Sequence, residues 1–286
     1  MQLEDIGTVG VVGAGTMGNG IAQVAATAGY DVVMRDVEQQ FVSAGFDAID
    51  RSLDRLVRKE ELTQAEADRA RGRIEGTTDL ADLRDAHLVV EAVTEDMGVK
   101  QSVFGDLDDT CGPETVLATN TSTLSITTIA SVTDRPDRVV GLHFMNPVPV
   151  MKGVEVVEGE KTSEETLALG RAFAQAVGKE TWDADDKPGF VVNRILMPWI
   201  NEGVRAYDEG IAGKADIDRG MTLGTNVPMG PLELADHIGL DVVLDASETL
   251  HEELGDRYQP AYLLKRKVAA GDLGKKTGAG FYEYER

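Results

Sequence analysis

From residue 8 to residue 36 the chain carries an order of residues that few folds accommodate. An apolar run, Thr8–Val12, leads into Gly13-Ala14-Gly15-Thr16-Met17-Gly18. An alanine-rich stretch, Met17–Ala28, follows, and a second apolar run, Asp31–Arg35, ends at Asp36. Read as strand, turn, helix and parallel strand, this gives each glycine a separate task. Gly13 permits the tight turn. Gly15 keeps a Cβ away from where a pyrophosphate would lie, and Gly18 lets the helix pack close to the sheet. The helix start at Thr16 and Met17 presents backbone N–H groups and the positive end of a dipole to phosphates. An acidic side chain at Asp36 suits a ribose hydroxyl and repels a 2′-phosphate, so the pattern points to NAD ahead of NADP. Arg35 beside it keeps NADP in view, and FAD shares the glycine pattern. A glycine-rich turn with a solvated Asp is the plain structural alternative.

The alternation of short apolar runs and helical patterns continues, which argues for parallel strands joined by crossover helices. Further candidate strands are His87–Val93, Thr115–Thr119 and Arg138–Phe144, with Val154–Val157 and Val177–Trp182 extending the sheet at its edge. Helical patterns at Glu38–Glu60 and Gln64–Arg71 are longer than an ordinary crossover and predict a projecting hairpin over about residues 38–72. At Asp185-Asp186-Lys187-Pro188-Gly189 the composition turns polar and breaks, as at a hinge. Beyond it the strand signal fades and helices dominate, at Phe190–Asp208 and from Leu232 to Leu254, before a glycine-rich tail whose aromatics Phe281 and Tyr282 are expected to dock on them. The expected fold class is therefore α/β: a Rossmann-type doubly wound, mostly parallel sheet over residues 1–186, followed by a smaller all-helical domain over 187–286.

Charge narrows the partners. Fifty acidic residues against 28 basic ones leave a formal net charge of −22. Such a field repels nucleic acid and anionic membranes, so neither is an expected partner. The excess is spread along the chain, which suits a solvated surface in high salt, where self-repulsion is screened. No apolar run approaches the roughly 20 residues that span a bilayer. The opening residues show no basic leader before an apolar stretch, and the single cysteine, Cys111, has no partner for an internal disulfide. A cytoplasmic protein with a buried bystander thiol is the simplest expectation.

Of four histidines, His87 begins an apolar strand and His251 lies in an acidic helical stretch, both structural or solvated positions; His143 differs. It falls near the C-terminal end of a candidate parallel strand, the edge that faces the ligand crevice in open α/β sheets. Imidazole, with an ordinary pKa of roughly 6.5, suits proton removal from an alcohol near neutrality. Glu155 is an acid inside the apolar run Val154–Val157, where a carboxylate requires a partner. His143 is one candidate, and a buried ion pair of another kind is the other. Asn120-Thr121-Ser122 follows another strand at the same edge; helix capping competes with ligand binding for Ser122. Asn193, in an apolar helix after the hinge, either cross-links packing or reaches into a crevice. No metal site is indicated.

Taken in order, VGAGTMGNGIAQVAATAGYDVVMRD, ATNTSTLSITTIA, GLHFMNPVPVMKGVEVV, DKPGFVVNRILMPWINEG, PMGPLELADHIGLD and GKKTGAGFYEY resemble the L-3-hydroxyacyl-CoA dehydrogenase family over essentially the whole chain. The resemblance implies NAD as cofactor and an acyl-CoA thioester as substrate. It implies that His143 is the catalytic base and that Glu155 orients it. Ser122 and Asn193 would bind the reacting oxygens and help to position the nicotinamide. By the same resemblance Glu95 and Lys100 lie near the nicotinamide-side ribose, and Asn120 near the carboxamide. A homodimer is implied through the helical domain.

Coenzyme A carries several phosphates and needs a local positive patch on so acidic a chain. Arg51, Arg55 and Arg58 recur at helical spacing with Lys59 adjacent, although composition alone favours surface ion pairs with Asp54, Glu60 and Glu61. The resemblance places Ser52 and Lys59 as CoA contacts. Two rival functions remain: a dehydrogenase of a free hydroxy or sugar acid, of the L-gulonate type, on the same plan, and a non-catalytic NAD-binding protein. The basic helix face argues against the first. Against the second stands the set Ser122, His143, Glu155 and Asn193, since a binder needs only the glycine loop and Asp36.

Overall fold

Strand and helix alternate along the first part of the chain: β1 (Thr8–Val12), α1 (Thr16–Thr27), β2 (Asp31–Arg35), α2 (Gln39–Arg58), α3 (Gln64–Gly72) and β3 (Ile74–Thr77). Then come β4 (Leu88–Glu91), α4 (Met97–Thr110), β5 (Val116–Thr119), α5 (Ile126–Ala130), β6 (Val139–Phe144), β7 (Gly153–Glu158), α6 (Glu164–Ala176) and β8 (Glu180–Asp185). The structure is a computed structural model and describes residues 2–285. It divides into two units, Met1–Lys187 and Pro188–Arg286.

In the first unit eight strands form one sheet in the order β3-β2-β1-β4-β5-β6-β7-β8. All neighbours are parallel except β6 and β7, which run antiparallel. The order reverses between β1 and β4, and at such a reversal the connections leave on opposite faces and open a crevice at the carboxyl edge. Every residue of β4, β5 and β6 is buried, which is why these strands read as unbroken apolar runs rather than alternating ones. One face packs Val9, Val11, Val90, Val140 and Leu142 against Ile21 and Ala25 of α1 and Phe173 of α6. Gly141, between Val140 and Leu142, points to the opposite face, where a Cβ would meet Val157 at 2.7 Å and Ile126 at 2.9 Å.

Three expectations for this unit need correction. The strand β3 was not anticipated, because Ile74-Glu75-Gly76-Thr77 buries only its first residue and has no alternation. Its one signal was Gly76, where a Cβ would come within 2.6 Å of both Phe46 and Val42. The last strand lies at Glu180–Asp185, not Val177–Trp182: Val177 closes α6 and sends its buried side chain into the core, while the strand itself is polar and half exposed. His87 and Val93 lie outside β4, which ends at Glu91. The hairpin of α2 and α3 is present, joined through Glu60 in the left-handed region (φ 61).

The second unit is helical: α7 (Val192–Asp208), α8 (Lys214–Thr225), α9 (Pro231–Ile238), α10 (Leu240–Leu254) and α11 (Tyr262–Ala269). The expected single stretch from Leu232 to Leu254 is broken at Gly239, whose φ of 107° no helix tolerates. The first helix begins at Val192 rather than Phe190, where φ is 47°. Helices α8 and α11 were not read from the sequence; each buries only one residue. Met197, Ile200, Leu232, Leu240, Val243, Leu264 and Phe281 share the core. The tail docks through Asp236, whose carboxylate accepts from Phe281 N (2.8 Å) and Tyr282 N (2.7 Å). Among the described residues no helix is long and apolar enough to cross a membrane.

Candidate active site

The loop after β1 shows what its glycines are for. Gly13 has φ 100°, and a Cβ there would strike Ala92 O at 2.6 Å; at Gly18 it would lie 1.7 Å from Gly13 O. Both are required by the fold. Gly15 is not: its backbone is extended, and a Cβ would find nothing within 4 Å. A glycine that packing does not demand, facing open space at a helix start, is a cradle that a Cβ would fill. No side chain caps α1 or α2, whereas Thr63, Asp96, Ser125 and Ser163 cap α3, α4, α5 and α6. The uncapped end of α1 fits a pyrophosphate, which supplies the acceptors that a capping side chain would otherwise provide.

Two side chains brace this loop. Asp36 Oδ2 accepts from Ala14 N at 2.7 Å and Oδ1 from Val37 N at 2.7 Å, so the carboxylate stands at the end of β2 against the loop. Asn19 Nδ2 donates to Gly15 O at 2.6 Å, a contact that sequence reasoning missed and that only the helical return of Asn19 over the turn reveals. The neighbouring Arg35 donates from Nε to Thr78 O at 3.4 Å, toward the turn after β3.

At the ends of β4 and β5 a second cluster forms. Glu95 Oε1 accepts from Thr121 Oγ1 (2.7 Å), Ser122 N (2.8 Å) and Ser122 Oγ (3.1 Å). Its Oε2 lies 3.3 Å from the Lys100 ammonium. Burial alone would raise the Glu95 pKa, but the Lys100 charge and the hydrogen bonds from Thr121 and Ser122 outweigh it and hold the carboxyl below its ordinary range. Lys100 itself is 1% exposed and pairs at 2.7 Å with the fully buried Glu91. Its reach to any ligand therefore runs through Glu95. Glu91, which also accepts from Thr119 Oγ1 at 2.7 Å, was not singled out, although an acid closing the apolar strand β4 was its signal. Ser122 is not a helix cap, because Ser125 and Asp186 cap α5. Asn120 Oδ1 accepts from Phe144 N at 2.9 Å and ties β5 to β6 beside His143.

His143 and Glu155 face each other directly across the antiparallel pair β6–β7. His143 Nδ1 lies 2.6 Å from Glu155 Oε2; His143 is 8% exposed and Glu155 not at all. The antiparallel turn matters, because it brings the start of β7 to the carboxyl edge where β6 ends. Trp182 Nε1 donates to the other oxygen of Glu155 at 3.1 Å. With Nδ1 engaged by a carboxylate, proton exchange with a ligand falls to Nε2. Such a pair can accept a proton from a hydroxyl and hold the imidazolium that results.

The remaining candidates lie on other elements. Ser52 sits half-buried in the last two turns of α2, and Lys59 is exposed just after it. Asn193 is the second residue of α7 in the helical unit. Among the described residues no group of His, Cys, Asp and Glu could hold a metal ion.

Residues 8–186 match the family described as 3-hydroxyacyl-CoA dehydrogenase, NAD binding domain, and residues 189–284 match its C-terminal domain. A probable 3-hydroxybutyryl-CoA dehydrogenase of Deinococcus radiodurans is 49% identical over 96% of this chain and 99% of its own length. The human mitochondrial hydroxyacyl-coenzyme A dehydrogenase is 42% identical over 97% of this chain and 91% of its own length. Among solved structures, the (S)-3-hydroxybutyryl-CoA dehydrogenase of Ralstonia eutropha superposes with a TM-score of 0.94 at 48% identity, covering 98% of this chain and all of that one.

Proposed function

This chain belongs to the 3-hydroxyacyl-CoA dehydrogenase family, and we propose that it interconverts (S)-3-hydroxyacyl-CoA and 3-oxoacyl-CoA with NAD, His143 and Glu155 forming its acid–base pair. The observation that carries the assignment is the buried 2.6 Å His143–Glu155 contact at the same sheet edge as the glycine loop. Bound NAD supplies the hydride acceptor for oxidation at C3. His143 Nε2 takes the 3-hydroxyl proton in that direction and returns it in the other. Glu155 stabilises the imidazolium as a triad carboxylate does. Ser122 and Asn193 are assigned to the reacting oxygens, whose positioning is what a two-substrate reaction most needs. Glu95, carrying Lys100 behind it, and Asn120 are assigned to the nicotinamide side. Gly13, Gly15, Thr16, Met17 and Gly18 hold the pyrophosphate, and Asp36 the adenosine ribose. Ser52 and Lys59 are the proposed CoA contacts.

Residues 187–286 would supply Asn193 and a homodimer surface. The net charge of −22 supports an enzyme that works in high salt, and the single cysteine supports a reducing, cytoplasmic setting. The test is NADH oxidation with acetoacetyl-CoA from low to molar KCl, with free acetoacetate and NADPH as controls. Turnover with the thioester and NADH alone is expected. Turnover only with free oxo acids would move the substrate to the hydroxy-acid class. His143→Gln is expected to lose about 10³-fold or more in kcat while binding NADH as before.

A further inference from the structure

The carboxylate of Glu155 has two oxygens, and the base needs only one of them. The other is taken by Trp182. Cross-strand register puts His143 opposite Glu155 and Glu155 opposite Trp182, so the three stand in one row across β6, β7 and β8 and on one face of the sheet. Indole Nε1 donates to Glu155 Oε1 at 3.1 Å, while Oε2 meets His143 Nδ1 at 2.6 Å. The indole is itself seated. Its ring lies back along the strand over Gly153, where a Cβ would come within 2.6 Å of Cη2 and 2.8 Å of Cζ3. Gly153 and Glu155 share a face because alternate residues of a strand do. The glycine thus makes room for the ring that holds the carboxylate two residues on.

We propose that Trp182 is a positioning residue of the acid–base pair, its indole N–H fixing the plane of the Glu155 carboxylate so that Oε2 faces His143. The proposal rests on reading His143 and Glu155 as the base pair. Its physical ground is that the terminal torsion of a glutamate is broad and does not set the carboxylate plane. A donor on the second oxygen sets it, and the wholly buried Glu155 has no bulk water to do so. Deleting that donor also strips a hydrogen bond from a buried charge, which counts for more than a neutral one.

Trp182→Phe keeps an aromatic side chain on β8 and removes the N–H, together with the outer ring edge that lies over Gly153. We expect kcat with acetoacetyl-CoA to fall about tenfold, the scale of one charge-assisted hydrogen bond, with KM for both substrates unchanged within about twofold. The low-field Nδ1 proton of His143, observed with ¹⁵N-histidine in a chain of four histidines, is expected to shift. Unchanged kcat with an unmoved His143 proton overturns the proposal. A second measurement needs no Trp182 variant. The chain has two tryptophans, and Glu155→Gln is expected to move the indole N–H resonance of Trp182 but not that of Trp199. An unmoved Trp182 resonance overturns the proposal as well. His143→Gln separates the two readings: if it keeps normal turnover, the base assignment fails, whereas an inactive His143→Gln beside a fully active Trp182→Phe removes only the tryptophan.

Discussion

Gly15→Ala should leave the fold intact and weaken the nucleotide. The added Cβ finds no atom within 4 Å, and the backbone at Gly15 (φ −65°, ψ −168°) is open to any residue. Two small terms act on stability. Alanine is a poorer N-cap than glycine, by roughly 0.5–1 kcal/mol, and removing glycine stiffens the unfolded chain, a gain of about 0.4–1 kcal/mol. They offset, so Tm should stay within about 2 °C of the parent, since 1 kcal/mol moves a domain of this size by about 2–4 °C. The ligand has no such balance. A methyl between the loop and the pyrophosphate pushes the phosphates off the helix start and breaks one or two hydrogen bonds to a charged group, at about 1.5–3 kcal/mol each. Roughly 2–4 kcal/mol corresponds to about 30- to 1000-fold in Kd. Fluorescence titration with NADH reads this directly. Gly18→Ala is the contrast, because its Cβ would sit 1.7 Å from Gly13 O, a backbone atom that cannot rotate away. It should lower Tm by about 6–12 °C, from roughly 3 kcal/mol of overpacking. If Gly15→Ala bound NADH within threefold of the parent, or melted as Gly18→Ala does, the cradle argument would be wrong.

Three further outcomes are expected. Lys100→Met leaves the Glu91 charge buried with only Thr119 Oγ1 and Val93 N as donors. It should cost about 3 kcal/mol and about 6–12 °C in Tm, most of it recovered by adding Glu91→Gln; a loss under 2 °C in the single variant would contradict the buried-pair reading. Burial pushes the Cys111 thiol up to about 11, so the folded protein should resist iodoacetamide at pH 8 and react once unfolded; rapid labelling of the native form would refute this. Glu95 is held below its ordinary range, so its contribution to stability is complete above the unfolded carboxyl value of roughly 4.3 and disappears as pH falls through the lower folded value. The Tm gap between the parent and Glu95→Gln, measured by calorimetry, should therefore be full at pH 7 and close as pH falls through the lowered folded value of Glu95; a gap that persists unchanged into acid would count against it.

What could be read along the chain is what depends on near neighbours. The strand–glycine–helix order of residues 8–36, the acid at Asp36 and the change of character near Pro188 all express local backbone geometry. The buried strands β4, β5 and β6 announced themselves through apolar runs. His143 stood out because a polar residue near the end of such a run lies at the edge where ligands bind, and Glu155 because a carboxylate amid valines demands a partner. The strands that went unread or were misplaced, β3 and β8, lie at the two edges of the sheet and bury little. Where few side chains are buried, hydrophobic periodicity carries no signal and backbone pairing decides.

The sequence by itself therefore determined the fold class, the nucleotide loop and the residue types able to move a proton. Only the tertiary structure decided which of them meet. The antiparallel register of β6 and β7 sets Glu155 against His143, and the parallel register of β7 and β8 adds Trp182, which lies 27 positions beyond Glu155 and carried no mark of its own. Burial likewise turned Lys100 from a candidate ligand contact into the inner partner of Glu91 and Glu95. Strand register comes from hydrogen bonds between segments far apart in the chain, and a one-residue slip would turn every side chain to the other face. Periodicity along a strand says that a residue is on a face, but not what stands beside it there.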